Sequence, residues 1–422
     1  MKKFLLALLP CTLALTQLLA QTPEAYTLLK PDRVFDGRDM HTGWWVLIKG
    51  NHIEAAKPAT EFTIPAGIKI IDLKGTTLLP GLIEGHSHLF LHAYNETSWN
   101  DQVLTESRAE RTARAVTHAR QTLMAGFTST RDLGTEGAGY DDVGLKAAIN
   151  KGLIPGPRIL SATRAIVATG SYGPKSTVAE MDLPQGAEEA DGTDGLTHAI
   201  RSQIGHGADV IKLYADYRWG LDDKPAPTFT EAELKLAVQV ANSSGRPVVV
   251  HASTAEGMRR AIMAGVNTIE HGDGGTPEIF KLMKEHNVAL CPTLAAGEAT
   301  SAYKGWKKGT DPEPDRVKQK QISFTNALKA GVTICMGGDV GVFAHGDNAR
   351  EMLLMVEYGM KPLDVLRSAT SVNADVFGLK NLGNIKLGYL ADLVVLSGNP
   401  VEDIKNVKAV KLVMKDGVIV KD

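Results

Sequence analysis

The sequence lacks features that are typical of several classes of protein. Three cysteines among 422 residues cannot supply a disulfide framework. The 46 lysines and arginines nearly balance 48 aspartates and glutamates, and this balance argues against a basic nucleic-acid-binding protein. With 43% apolar and 22% charged residues, the chain does not have the composition of a disordered protein. We therefore expect a globular protein that does not bind nucleic acid, with two or three domains or one large barrel with an appendage.

Long apolar runs are also scarce, and the one that stands out lies at the N-terminus. Two lysines precede Phe4–Leu19, which consists mostly of Leu and Ala, and polar residues follow Ala20. This layout predicts a secretory signal peptide over residues 1–20. The run is shorter than the roughly 20 residues that span a bilayer, and Pro10 interrupts it. A lipoprotein signal is a weaker alternative, because Pro10 stands where a small residue would precede Cys11. We predict an exported protein, periplasmic or secreted, without a membrane span after cleavage.

From about residue 77 to residue 340, short β-branched runs alternate with amphipathic, helix-forming stretches. Eight runs are predicted as strands: Thr77–Leu82, Phe127–Arg131, Arg158–Ala162, Asp209–Leu213, Pro247–Val250, Thr268–Glu270, Val288–Cys291 and Val332–Met336. Strands that alternate with helices form parallel sheets, and eight such units fit an α/β fold of the (β/α)8 TIM-barrel type. An open doubly wound sheet is the alternative, but no phosphate-binding glycine motif follows any of these strands.

The two ends of the mature chain contain short strands without helices between them. These strands are Tyr26–Leu29, Trp44–Ile48, His52–Ala55 and Ile68–Ile71 near the N-terminus, and Ala391–Leu396, Val410–Met414 and Val418–Val420 near the C-terminus. Neither end has enough apolar surface to fold alone. We therefore predict a small composite β-sandwich made of residues 21–76 and 385–422, beside a barrel domain of residues 77–384.

Side chains that bind transition metals follow four of the predicted strands. They are His86 and His88 after the first strand, His251 after the fifth, His271 after the sixth and Asp339 after the eighth. The C-terminal ends of barrel strands meet at one mouth, so we expect these side chains to lie close together. Imidazoles with a carboxylate suit Zn, Mn, Ni or Fe rather than Ca or Mg. Five ligands exceed one tetrahedral zinc site, which favours two metal ions.

A lysine lies within the fourth predicted strand, in the apolar run Asp209–Tyr214. A protonated Lys212 would repel divalent cations. Carboxylation by carbon dioxide would turn it into an anionic carbamate that can bridge two metals. A surface role, with the alkyl chain lying over apolar neighbours, is the alternative interpretation.

Taken together, these motifs resemble those of the amidohydrolase superfamily, over about residues 25–422. The resemblance rests on His86-Ser87-His88, Lys212 within Val-Ile-Lys-Leu-Tyr, His251, His271 and Asp339, and on the flanking runs Leu79–Ile83 and Gly388–Leu396. Within the superfamily the sequence is most similar to exported Xaa-Pro-dipeptidase-like and imidazolonepropionase-like proteins, a group that includes ochratoxin-hydrolysing amidases.

The resemblance implies two divalent metal ions, with zinc as the expected metal. The implied ligands are His86, His88 and Asp339 for a more buried ion and His251 and His271 for a second. Carboxylated Lys212 and a hydroxide would bridge the two ions. The implied reaction is hydrolysis of an amide bond that releases a C-terminal amino acid from a dipeptide, an N-acyl amino acid or an ochratoxin-type amide. Asp339 would shuttle a proton from the hydroxide to the leaving nitrogen.

Relatives often carry a histidine in the glycine-rich loop after the third strand, where it helps to hold the substrate carbonyl. The corresponding loop here, Ala168–Gly173, has none. The candidates for substrate binding are Ser171, Tyr172, Tyr214 and Tyr217 for the carbonyl and Arg218 for an α-carboxylate, which a guanidinium binds bidentately. Packing roles for the tyrosines and a solvent-facing Arg218 are equally compatible with the sequence.

Other functions fit the same scaffold. A deaminase would use one metal and often has a Glu three residues after the His of the fifth strand, where this chain has Thr254. A lactonase, an esterase or a cyclic-amide hydrolase is compatible with the same ligands. A non-catalytic binding barrel would be expected to lack one or more ligands, and all six positions are occupied. Homo-oligomers are common among such barrels, but no feature of the sequence fixes their size.

Several nearby residues are predicted to lie outside the site. His92 and His345 are single loop histidines and are interpreted as solvated. Asp132 is expected to form a structural ion pair with its neighbour Arg131. The two cysteines that remain after signal cleavage lie in apolar runs, and they are interpreted as buried free thiols, with a disulfide as the alternative.

Overall fold

The computed structural model describes residues 26–64, 66–176, 178 and 180–422, so the predicted signal peptide lies outside the described residues. The strands are β1 Tyr26–Phe35, β2 Met40–Thr42, β3 Trp44–Lys49, β4 His52–Pro58, β5 Lys69–Pro80, β6 Leu82–Ser87, β7 Phe127–Asp132, β8 Arg158–Ser161, β9 Ile166–Val167, β10 Glu188–Glu189, β11 Ile211–Tyr214, β12 Asp216–Tyr217, β13 Ala226–Pro227, β14 Val248–Ala252, β15 Thr268–His271, β16 Ala289–Cys291, β17 Leu393–Ser397, β18 Val410–Lys415 and β19 Val418–Lys421.

The α-helices are α1 Trp99–Leu104, α2 Arg108–Met124, α3 Asp141–Asn150, α4 Gly192–Gly205, α5 Glu231–Asn242, α6 Ala255–Ala264, α7 Pro277–Glu285, α8 Leu294–Tyr303, α9 Asp315–Ala330, α10 Arg350–Glu357, α11 Pro362–Arg367 and α12 Asn373–Val376. Their ends follow from local chemistry. The Thr230 hydroxyl caps α5 in a reciprocal capping box with Glu233. Gly265 and Gly331 end α6 and α9 in left-handed conformations that glycine adopts without strain.

Parallel strands follow one another in space in the order of the sequence. β6 pairs with β7 and β7 with β8, while β11, β14, β15 and β16 pair in succession. The backbone N–H of Asp209 donates to the Ser161 carbonyl, which brings the approach to β11 beside β8. Parallel bridges join Leu290 to Ile334 and Val340 to Ser87 at the other side. Backbone pairing between neighbouring strands therefore connects the strands that carry the predicted ligands, from β6 to the segment 334–340.

Most predicted strands of this region agree with the structure to within two residues, but the first and the last do not. Residues 76–80 belong to β5 and pair with β17, so the strand predicted at Thr77–Leu82 is wrong and the ligands follow β6 instead. The chain passes so close to β7 at Gly81 that a Cβ there would clash with the side chain of Thr128. In the predicted strand Val332–Met336, only Ile334 makes a β-bridge.

Strands from both ends of the chain share one sheet. β17 pairs antiparallel with β5, and the order of strands is β19-β18-β17-β5-β1-β3-β4, with β2 beside β1. The predicted domain boundary at residue 76 falls inside β5. This end sheet has an apolar cluster of its own, which includes Leu29, Val46, Leu78 and Val395. The two-layered sandwich and the domain limits stay predictions.

The largest apolar cluster lies between the parallel strands and their helices. It includes Leu213 and Val250 from β11 and β14, and Leu234 and Ile262 from α5 and α6. The ion pair of Arg158 with Asp392 connects the region around β8 to the end sheet. Both cysteines of the described part are free and buried, as predicted. Among the described residues, no helix has the length and apolar character needed to cross a membrane.

Candidate metal centre

The structure brings the histidines predicted to bind metal together at the C-terminal ends of β6, β14 and β15. The ring centroids of His86 and His88 are 5.3 Å apart, those of His86 and His271 are 5.1 Å apart, and those of His251 and His271 are 4.4 Å apart. Asp339 joins them through Oδ1, which lies 3.6 Å from His86 Nε2 and 3.3 Å from His88 Nε2. These contacts connect residues from three strands and from the segment after Ile334.

The backbone of two of these residues adopts an uncommon conformation. Asp339 has a φ of 62° and His271 a φ of 75°, both in the left-handed region that non-glycine residues rarely occupy. The backbone N–H of Asp339 donates to the carbonyl of His86 over 2.9 Å, which fixes the aspartate beside β6. Backbone strain of this kind concentrates at functional sites, where the surrounding structure holds it in place.

Three of the histidines have an Nδ1 that is engaged by a protein oxygen. His86 Nδ1 lies 2.9 Å from Glu270 Oε2, His88 Nδ1 lies 2.9 Å from the Gly134 carbonyl, and His271 Nδ1 lies 2.7 Å from Thr293 Oγ1. A carboxylate or a carbonyl can only accept, so His86 and His88 donate Nδ1–H, and the Nε2 atom of each ring faces Asp339. Metal-binding histidines nearly always donate their second ring N–H in this manner.

Two buried polar atoms at this place lack a hydrogen-bond partner among the described residues. They are His86 Nε2 and Lys212 Nζ, and both residues are almost completely shielded from solvent. Leaving such atoms unsatisfied costs free energy, so native structures nearly always pair them. Together with Asp339, they form a donor set of imidazole, carboxylate and amine that fits transition-metal ions. The residues present therefore fit the metal centre that the sequence predicts.

The charges of the site favour the protonation states that metal binding requires. Burial, and then the nearby Lys212, lower the pKa of His86 to about 4. Burial would raise the pKa of Asp339, but His86, His88 and Lys212 hold it well below its usual value. Burial also lowers the pKa of Lys212, against the opposing effects of Glu270 and Asp339. An ionised aspartate, a neutral His86 and a lysine that loses its proton more easily all suit cation binding.

His88 differs from His86 because it lies closer to Asp339. Burial alone would lower the pKa of His88, but its hydrogen bond to Asp339 and the charge of that carboxylate raise it to about 9. Asp339 therefore favours the form of His88 that carries a proton on Nε2, facing the carboxylate. A cation bound there would replace this proton, so we expect binding to release it.

Sequence reasoning missed Glu270, which lies directly before His271. Its carboxylate is fully buried, with Oε2 beside His86 and Oε1 2.7 Å from Arg131 Nη2. The predicted ion pair of Arg131 with Asp132 is therefore wrong, because successive side chains of β7 point to opposite faces of the strand. Asp132 instead accepts the backbone N–H of Leu89. The sequence feature that could have indicated a role for Glu270 is the position of an acidic residue within a predicted strand.

The two loop histidines that were predicted to be solvated are buried. His345 Nε2 lies 3.2 Å from the carbonyl of His88, and its ring stacks on His118 with a centroid distance of 4.3 Å. His92 Nε2 lies 2.8 Å from Glu106 Oε1. Both predictions are wrong because the loops fold back over the strand ends. His345 thereby supports the backbone at one predicted ligand.

Three of the predicted substrate-binding residues lie beside the histidines, as a cluster of tyrosines. Tyr214 stacks on His251 with a centroid distance of 4.6 Å. Tyr172 packs against Tyr214 at 4.7 Å and against Tyr217 at 4.9 Å. Burial raises the pKa of each of these phenols, so all three are neutral hydrogen-bonding groups.

The other two candidates differ from this cluster. The Ser171 hydroxyl is buried and donates to the Ala168 carbonyl over 2.7 Å, so it has no proton left for a substrate carbonyl. Arg218 is exposed, and its guanidinium has no hydrogen bond or ion pair within the described part of the chain. It follows Tyr217 directly, and its charge acts on that phenol. Arg218 is thus available to an anion near the tyrosines, whereas Ser171 supports its own loop.

Comparison with known proteins agrees with this geometry. The profile of the Amidohydrolase family matches residues 77–420. Ochratoxinase from Aspergillus niger is 32% identical over 376 residues, which cover 82% of this chain and 75% of the relative. A crystal structure of a Xaa-Pro dipeptidase with bound methionine in the active site has 32% identity and a TM-score of 0.83, covering 94% of this chain and 100% of the other. A prolidase complexed with N-methylphosphonate-L-proline has 30% identity and a TM-score of 0.82, with coverages of 94% and 100%.

The chain therefore belongs to the amidohydrolase family. Its similarity to ochratoxinase and to prolidase-like structures assigns it, within that superfamily, to the Xaa-Pro-dipeptidase-like group. It is a hydrolase that acts on carbon–nitrogen bonds.

Proposed function

We propose that this protein is a binuclear metal-dependent amidohydrolase that releases the C-terminal amino acid from a dipeptide or an N-acyl amino acid. The proposal rests on one observation. The ends of three strands that bear histidines lie close together in the protein interior, beside Asp339 and beside Lys212, whose Nζ has no hydrogen-bond partner among the described residues. A histidine with only a structural role would not require the other histidines, the aspartate and the lysine beside it. The similarity to ochratoxinase and to a Xaa-Pro dipeptidase supports an amide substrate with a free carboxylate.

We propose the following ligands: His86, His88 and Asp339 for a buried zinc ion, His251 and His271 for a second zinc ion, and carboxylated Lys212 between them. The nitrogen atoms of His86 and His88 and an oxygen of Asp339 lie within 4.8 Å of one another, which supports the first group. The lowered pKa of the fully buried Lys212 supports its carboxylation, because only the neutral amine reacts with carbon dioxide.

In the proposed reaction, the two cations would supply a more acidic water and a polarised substrate carbonyl. Asp339 accepts the proton of the attacking water at its carboxylate and delivers it to the nitrogen of the breaking bond. This transfer matters because an amide nitrogen leaves poorly without a proton. Tyr214 and Tyr217 border the scissile carbonyl, and Arg218 binds the carboxylate of the departing amino acid. The positions of Tyr214 and Tyr217 beside His251 support the roles of these two residues.

The finer architecture and the location of the protein are also proposals. The lateral order of parallel strands supports a closed (β/α)8 barrel, and the shared end sheet supports a composite β-sandwich. The N-terminal sequence supports a cleaved signal peptide over residues 1–20 and export to a periplasmic or extracellular location. A homo-oligomer of the mature protein is proposed on the behaviour of similar barrels.

The test is a screen of the zinc-loaded mature protein against dipeptides and N-acyl amino acids, with release of free amino acid and of ammonia measured separately. We expect amino acid without ammonia. Lys212→Ala should lose bound zinc and activity together, and a short carboxylic acid added to this variant should restore part of both. Lys146→Ala, which changes a lysine paired with Asp209 away from the site, serves as the control and should keep both. Full turnover by Lys212→Ala, or no hydrolysis by wild type carrying two zinc ions, would contradict the proposal.

A further inference from the structure

Glu136, in the loop after β7, is a buried carboxylate that accepts no hydrogen bond from a cationic side chain among the described residues. It is 2% exposed and has a φ of 49°. Arg111 approaches it but donates to its backbone carbonyl over 2.7 Å rather than to its carboxylate. Its Oε1 has no hydrogen-bond partner in the described part of the chain, and the nearest ionisable nitrogen, His88 Nδ1, is 3.8 Å away and donates to Gly134. A buried carboxylate without a cation is costly, which calls for a functional reason.

The second oxygen of Glu136 determines what Tyr172 can bind. Glu136 Oε2 accepts hydrogen bonds from Tyr172 Oη, at 2.7 Å, and from Trp99 Nε1, at 3.0 Å. A phenol has a single proton, so Tyr172 offers only lone pairs to any further partner. It therefore cannot donate to a substrate carbonyl, and the role that the sequence suggested for it is excluded by this bond. This part of the tyrosine cluster offers acceptor atoms, which suit a ligand group that donates hydrogen bonds.

Positive charge also lies near the tyrosine cluster. Burial raises the pKa of Tyr217, whereas the charges of Arg218 and Arg316 lower it, and Glu136 raises it again. Both arginines are exposed and unpaired among the described residues. The tyrosine cluster thus has a carboxylate at Tyr172 and guanidinium groups near Tyr217. A zwitterion matches this distribution of charge, and the faces of aromatic rings also attract ammonium groups.

We propose that Glu136 and the hydroxyl oxygen of Tyr172 bind the free α-ammonium group of the substrate, so that the enzyme prefers unblocked dipeptides to N-acyl amino acids. This inference rests on the proposed function, because it places the scissile amide between this group and Arg218. Substrate binding supplies a cation that can donate a hydrogen bond to Glu136 Oε1. A neutral acyl chain in the same place leaves the carboxylate unpaired, and binding sites discriminate strongly against ligands that do so.

The direct test compares Ala-Phe with propionyl-Phe, which differ only in the amino group. We expect zinc-loaded wild type to hydrolyse Ala-Phe with a kcat/KM about 10- to 100-fold higher, the range for one hydrogen-bonded charge. Glu136→Gln should remove most of this preference by slowing the hydrolysis of Ala-Phe far more than that of propionyl-Phe. Glu189→Gln, which changes an exposed glutamate beside the glycine-rich loop, should behave as wild type. Equal rates for both substrates in wild type, or an equal loss for both in Glu136→Gln, would overturn the inference.

A second measurement needs neither turnover nor a variant. Phosphinic isosteres of Ala-Phe, with and without the amino group, are not hydrolysed, and their binding to zinc-loaded wild type is measured by calorimetry. Binding at least about tenfold tighter for the amino isostere supports the ammonium site, and equal binding overturns it. If neither Ala-Phe nor propionyl-Phe is hydrolysed while this preference persists, the proposed reaction fails and the ammonium site stands.

Discussion

At the scale of single residues, the proposed metal centre depends on side chains behind the predicted ligands. Glu270 accepts the Nδ1–H of His86 and is held in place by Arg131, and all three side chains are buried. This arrangement fixes the tautomer of His86 and leaves Nε2 available to a cation. It also places a negative charge behind the ligand, which increases the basicity of the imidazole.

We expect Glu270→Gln to weaken zinc binding by about 10- to 100-fold, the usual cost of changing a residue that orients a metal ligand. Gln has the shape of Glu but not the charge that balances Arg131 and polarises His86. Affinity is measured by titration against a competing chelator. Glu298→Gln, a change at a glutamate whose carboxylate pairs with Lys308, should keep the affinity of wild type. Unchanged zinc affinity in Glu270→Gln would show that the carboxylate does not support His86.

At the scale of elements, α10 takes over a capping role at the start of α8. Thr293 precedes α8 but does not cap it, because its hydroxyl contacts His271. Glu351 from α10 accepts the backbone N–H groups of Leu294 and Ala295 instead, at 3.0 and 2.7 Å. A residue on a neighbouring helix thus satisfies the donors that the local cap leaves unpaired, which frees Thr293 to position a predicted ligand.

The ionisation of Glu351 also makes the free energy of unfolding depend on pH. Burial raises its pKa from 4.5 to about 8, although both N–H groups oppose this effect. The folded state therefore keeps a proton that the unfolded chain releases near pH 4.5. The stabilisation of the folded state by protonated Glu351 is fully present below pH 4.5 and is lost as the pH rises through 8.

We therefore expect wild type to lose stability relative to Glu351→Gln between pH 5 and 8, because Gln does not titrate. The measurement is the difference between the two thermal unfolding midpoints at several pH values, in which the contributions of all other groups cancel. A difference that stays constant over this range would contradict the assignment. The same titration of Glu270→Gln is the control, since burial of Glu270 is outweighed by Arg131 and its pKa lies well below the usual value.

At the scale of the whole molecule, the predicted ligands come from distant parts of the chain. The contact of His86 with Glu270 joins residues 184 positions apart, and Asp339 follows later still. Cations bound among these residues would therefore connect β6, β11, β14 and β15. A ligand that binds only the folded state stabilises it, by about 4 kcal/mol at 1,000 times its Kd.

We expect a chelator to lower the thermal unfolding midpoint of zinc-loaded wild type by several degrees, and added zinc to restore it. The shift should be much smaller for Lys212→Ala, which is expected to hold little metal before chelation. Lys146→Ala should shift like wild type. An identical shift in wild type and Lys212→Ala would place the stabilising metal outside the proposed centre.

The local patterns of the sequence predicted most strands and the principal site residues. Strand–helix alternation depends on near neighbours, and the two-residue spacing of His86 and His88 is a property of extended chain. The limits of the first strand were missed because Thr77–Leu82 reads as one apolar run. Only the pairing of its first part with β17, together with the turn at Gly81, divides that run into β5 and β6.

The chemical groups of this protein and the approximate ends of its strands can be predicted from residue identity and periodicity, because both are local properties of the chain. The partner of each group is known only from the folded structure. Glu270 accepts a hydrogen bond from His86, Glu351 caps α8, and Glu136 keeps one oxygen without a hydrogen bond in the described chain, although the sequence does not distinguish these three glutamates. The reason is that burial and hydrogen bonding depend on contacts between residues far apart in the chain, and these contacts fix the charge and role of each carboxylate.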